Sequence, residues 1–73
     1  MAEQVFVNQR AVLARMTREL GMVCPSLRCE DDGHAFVLHI AREAPERQEA
    51  HLRATAAIRF DDGRVPFRIV RDL

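Results

Sequence analysis

The chain predicts an α+β fold, a two-layer sandwich with two helices on one face of a four-stranded antiparallel sheet, in the order αββαββ. Three observations carry this expectation. Asp31-Asp32-Gly33 returns as Asp61-Asp62-Gly63, offset by 30 residues. Apolar residues alternate on both sides of each motif, as antiparallel strands around a turn require. A stretch of helical spacing precedes each motif, at residues 9–20 and 45–54. The segments 9–40 and 45–70 thus read as an internal pseudo-repeat within one domain spanning 1–73.

Taken in order, Val5-Phe6-Val7 favours an extended segment, since β-branched and aromatic residues suit a strand. Asn8 then stands as a helix N-cap. In the helix that follows, Val12, Leu13, Met16 and Leu20 share one face, Arg10, Arg15 and Arg18 lie on the other, and Gly21 provides the stop.

Met22 and Val23 lead into the first hairpin, with strands near 26–30 and 34–40. A two-residue Asp-Gly turn puts Asp31 opposite His34, Cys29 opposite Phe36 and Leu27 opposite Leu38, which makes one face of the hairpin apolar. Pro45 opens the second helix, where Glu49 and Arg53 form a favourable i,i+4 pair. Ala50 and Ala54 share a face of that helix, and Leu52 points elsewhere. Residues 55–60 and 64–70 read as the second hairpin, with Phe60 opposite Val65, Ile58 opposite Phe67 and Ala56 opposite Ile69. The alternative is αββαβ, in which the second helix runs on to residue 58. The expected core is Val12, Leu13, Met16, Leu20, Leu27, Cys29, Phe36, Leu38, Ile40, Ile58, Phe60, Val65, Phe67 and Ile69.

At 73 residues, folding removes only about 60% of the surface of the unfolded chain from water. A core so thin often needs a disulfide, a metal or a second subunit beside it. Cys24 and Cys29 stand five apart with no secretory signal ahead of them, so reduced thiols and a cytoplasmic protein are expected. No apolar run reaches the roughly 20 residues of a membrane span, and no membrane partner is expected.

Eleven basic residues balance eleven acidic ones, so no global field draws nucleic acid. Every basic residue is Arg, and Phe is the sole aromatic type. Cys24, Cys29, His34 and His39 are residue types that hold zinc. Their spacing lacks the close cysteine knuckle, and strand alternation sets Cys29 and His39 on opposite faces, so no metal or other cofactor is expected. The same separation denies Cys and His a shared proton, and turn chemistry accounts for the paired aspartates. No catalytic residue is assigned.

The remaining surfaces are two. The outer sheet face carries Arg28, Glu30, Ala35, Val37 and His39 from the first hairpin, and Thr55, Ala57, Arg59, Pro66, Arg68 and Val70 from the second. Small apolar residues framed by Arg match the anatomy of a protein interface. The expectation is a small non-enzymatic interaction module of bacterial or phage origin, an adaptor, regulator or inhibitor. Its partner is another protein or a second copy in a homodimer, contacted through Val37, His39, Ala57, Arg59, Arg68 and Val70. The alternative is nucleic-acid binding through Arg10, Arg15 and Arg18 on the first helix, with contacts mainly to phosphate.

Overall fold

The computed structural model describes residues 2–61 and 66–73, with side chains described for residues 10–60 and 66–73. The elements are α1 (Ala2–Leu20), β1 (Arg28–Asp31), β2 (Phe36–Ile40), α2 (Glu46–Ala56) and β3 (Phe67–Arg71). A single turn of π-helix, Ala57–Asp61, extends α2. Among the described residues the order is therefore the alternative, αββαβ, with three strands where the preferred reading expected four. None of the helices in the described residues is long and apolar enough to cross a membrane.

α1 begins earlier than its polar cap suggested. The segment at Val5-Phe6-Val7, expected to be extended, is helical. Strand propensity is a weak prior, and once a helix exists each added residue gains a hydrogen bond without a new nucleus. α1 ends at Leu20 as expected, and Gly21 is needed there for closeness: a Cβ on it would stand 2.7 Å from the Thr17 carbonyl oxygen.

The first hairpin forms in a different register. Cys29 pairs with Leu38 and Asp31 with Phe36, a shift of two residues from the expected pairing. The cause is the turn. Asp31 Oδ1 accepts the Gly33 amide at 2.9 Å, and Asp32 Oδ1 accepts those of His34 and Ala35 at 2.9 and 2.8 Å. These side-chain bonds stabilise a loop longer than the two-residue type I′ turn, with Gly33 at φ 92°. A shift of two preserves the alternation, so Phe36, Leu38 and Ile40 still face the core.

The second hairpin is not formed. Residues 55–60, expected as a strand, are helical. Leu52, Ala56 and Phe60 are all buried, four residues apart along one helical stripe. The π turn holds an extra residue, which retards the rotation of the chain and returns Phe60 to that stripe. Two expectations along the α2 helix and its π turn are corrected as a result. Leu52, expected to point away, is fully buried, and Ile58, expected inside, is 79% exposed. Asp62 to Val65 lie outside the described residues, and with them the second Asp-Gly turn and the core position assigned to Val65.

Because the helix carries the chain back to the start of β2, β3 pairs with β2 in parallel, Phe36 beside Phe67 and Ile40 beside Arg71. The sheet order is β1-β2-β3. Met16 and Leu20 of α1 join Leu52 and Ala56 of α2 over Phe36, Leu38 and Ile40, with Cys29, Phe67 and Ile69 packed against the cluster. Both helices thus cover one face of the sheet, as expected. Arg71 closes the end of this layer: its guanidinium donates to Glu49 Oε1 at 2.6 Å and to the carbonyls of Ala44 and Arg42 at 2.7 and 3.1 Å. It ties β3 to the connection between β2 and α2.

Candidate functional site

Alternation along the strands sends Arg28, Glu30, Val37, His39, Arg68 and Val70 to the face away from the helices. The register sets them in two rows, Glu30–Val37–Arg68 and Arg28–His39–Val70. Val37, at the centre, is only 3% exposed although it lies outside the helix-covered core. Its neighbours on either strand, Glu30 and Arg68, have side chains long enough to close over it.

His39 lies between two carboxylates. Nε2 is 2.9 Å from Glu30 Oε1 and Nδ1 is 2.9 Å from Asp72 Oδ1, so the ring, when protonated, donates on both sides. The bond to Glu30, then that to Asp72, raises the pKa of His39 above its ordinary value. The arrangement links β1, β2 and the segment after β3 through one ring. In its protonated form it is a charge-assisted clasp, with both nitrogens engaged by carboxylates and, among the described residues, no hydroxyl or thiol bonded to either. Arg68 makes the neighbouring ion pair, 3.2 Å from Asp32 Oδ2. The backbone amides of Ala35 and His34 hold the Asp32 carboxyl below the usual carboxylate range, with Arg68 adding to the effect.

Of the residues expected on the partner face, Val37, His39, Arg68 and Val70 are brought together on the sheet. Ala57 and Arg59 are not, because the segment carrying them is helical. Ala57 joins Ala50 and Ala54 on the flank of α2, where an open groove of about 590 Å³ is bounded by Glu49, Arg53 and Arg71. Arg59 turns back to α1 and donates to Glu19 Oε1 at 2.9 Å. On the Arg face of α1, Arg10, Arg15 and Arg18 are all exposed, and Arg15 also lies over the Phe60 ring.

Cys24 is buried, Cys29 faces the core, His34 sits in the exposed turn and His39 lies on the open face. Among the described residues, no group of three or more His, Cys, Asp and Glu is placed to hold a metal ion.

Sequence reasoning missed Asp72 as a partner of His39. Its signal was the alternation Arg68, Val70, Asp72, which continues the outward series one step past the strand. The flank of α2 was missed for a different reason. Ala50, Ala54, Ala57 and Ile58 form a helical stripe, which ordinarily marks a buried face, but here the stripe Leu52, Ala56, Phe60 takes the core. Comparison with protein-family models, with characterised proteins and with solved structures finds no match to this chain.

Proposed function

We propose that this chain is a small non-enzymatic protein–protein interaction module, an adaptor, regulator or inhibitor that works through its open sheet face and the adjoining edge of β3. The observation that carries the reading is the one-sided covering of the sheet: both helices pack on one face, and among the described residues β3 has a strand neighbour on one side only. Edge strands with exposed main-chain groups are places where another chain can add, and an Arg beside partly apolar neighbours suits an interface rim.

Affinity capture with the full chain as bait tests the reading when paired with surface variants. Arg68→Glu and Val70→Lys on the open face should abolish a capture that Arg10→Glu with Arg18→Glu leaves intact. The reverse pattern, with the captured species digested by nuclease, overturns the proposal in favour of phosphate binding through α1.

A further inference from the structure

We propose that the occupant of the β3 edge is a second copy of this chain, paired antiparallel to β3 about a twofold axis through Val70, so that two three-stranded sheets become one continuous sheet. The proposal rests on the interaction-module reading and specifies its partner.

The main-chain directions come first. Phe36 N donates to Pro66 O at 3.0 Å and Asp72 N donates to Ile40 O at 3.1 Å. In a parallel ladder, residues 66, 68, 70 and 72 then turn their amides and carbonyls toward β2, which leaves those of Phe67, Ile69 and Arg71 facing outward. An antiparallel twofold contact must match outward residues with outward residues, so the axis passes through a residue and not between two.

Side chains then select the register. An axis at Arg68 or at Arg71 places like charges directly opposite, which is destabilising. An axis at Ile69 sets Arg68 against Val70 and Phe67 against Arg71, with no acid opposite either arginine. An axis at Val70 places Arg68 opposite Asp72 of the second copy and Val70 opposite itself. Ile69 and Arg71 then exchange main-chain bonds across the axis. Arg68 and Asp72 are 62% and 44% exposed, so both are free to meet a partner in addition to the ones they hold. On the helix side, the Ala50, Ala54 and Ala57 flank of α2 keeps the approach open above the same edge.

The register is directly testable by cysteine placement. At a twofold axis the two Val70 residues form a non-hydrogen-bonded pair with Cα atoms about 4.5 Å apart, within the separation a disulfide accepts. Val70→Cys should convert to a disulfide-linked dimer under mild oxidation, while Arg68→Cys, offset from its own copy by four residues, should not, and the parent with its two native thiols should not. By sedimentation on the order of tens of micromolar, the parent should run at doubled mass and Val70→Lys, folded by circular dichroism, as a monomer. Should Val70→Lys fail to fold, the disulfide pattern of Val70→Cys and Arg68→Cys decides the matter. A dimeric parent whose Val70→Cys variant stays unlinked overturns this register and leaves self-association standing. A parent that is monomeric overturns the second copy as occupant and leaves only a foreign protein for the surface.

Discussion

The guanidinium carbon of Arg15 stands 4.6 Å from the centre of the Phe60 ring, joining the first helix to the π turn across most of the sequence. The same guanidinium donates from Nε to Glu19 Oε2 at 3.0 Å and from Nη2 to the Arg59 carbonyl at 3.1 Å. Arg59 in turn donates to the other oxygen of Glu19. A wide helical turn is intrinsically weak, and here a cation over an aromatic face and a shared carboxylate hold it. Arg15→Met keeps the apolar stem and removes the clip. It should lower stability by about 1 kcal/mol and speed hydrogen exchange at residues 57–60. Exchange as slow as in the parent would show that packing of Phe60 alone holds the turn.

Leu52 and Ile58 offer a direct comparison of core and surface on one helix. Leu52→Ala should cost on the order of 2–5 kcal/mol, because the side chain is fully buried beneath α1 and the sheet. Ile58→Ala should change stability by less than about 0.5 kcal/mol, since nothing is lost from the core. Urea denaturation read by circular dichroism measures both. Equal costs at the two positions would contradict the helical stripe Leu52, Ala56, Phe60.

His39 gives the fold a pH dependence of definite sign. Its pKa is raised in the folded state by Glu30 and Asp72, so its contribution is complete below the ordinary histidine value of about 6.5 and is lost as pH rises through the raised value. Two carboxylates act in the opposite direction. Asp32, held low by the amides of Ala35 and His34, and Glu49, held low by Arg71 and then Arg53, lose their contributions as pH falls through their folded values. Thermal midpoints should therefore be highest in mildly acidic solution and fall on the alkaline side, and His39→Gln should flatten the alkaline limb. An unchanged alkaline limb in that variant would assign the dependence to another group.

The thiols should be chemically quiet in the native protein. Cys24 is 1% exposed, and burial pushes the Cys29 thiol up against a smaller opposing effect of the nearby Thr17 hydroxyl. The thiolate is the reactive form, so a raised pKa and limited access both slow attack. A colorimetric thiol reagent should titrate both cysteines in urea and neither quickly in native buffer. Rapid native labelling of Cys29 would mean that α1 opens from β1 far more readily than its packing implies.

Local chemistry in the sequence was enough to determine α1 from residue 9 to Leu20, the start of α2 after Pro45, the two strands around Asp31-Asp32-Gly33, and the face each strand residue takes. Those features depend on short-range periodicity, which is a property of neighbouring residues. The inward placement of Met16, Leu20, Phe36, Leu38 and Ile40 follows from the same rule. The hairpin register was not fixed by the Asp-Gly pair, because the side chains of Asp31 and Asp32 could stabilise a longer loop as well as a tight one.

Residues 55–60 were decided only by the tertiary structure. Ala56, Ile58 and Phe60 fit the outward and inward alternation of a strand, while Leu52, Ala56 and Phe60 fit a helix, and the two patterns share members. What separates them is whether α1 and the sheet offer a surface that the helical stripe can fill, with Arg15 available to cover Phe60. That choice removed a strand, turned β3 from antiparallel to parallel and moved Ala57 and Arg59 off the sheet. It also left β3 at the edge of the sheet, with Arg68, Val70 and Asp72 facing the same way as His39. A strand's neighbours in a sheet come from distant parts of the chain, so its exposure at an edge is a consequence of the assembled fold and of no single segment.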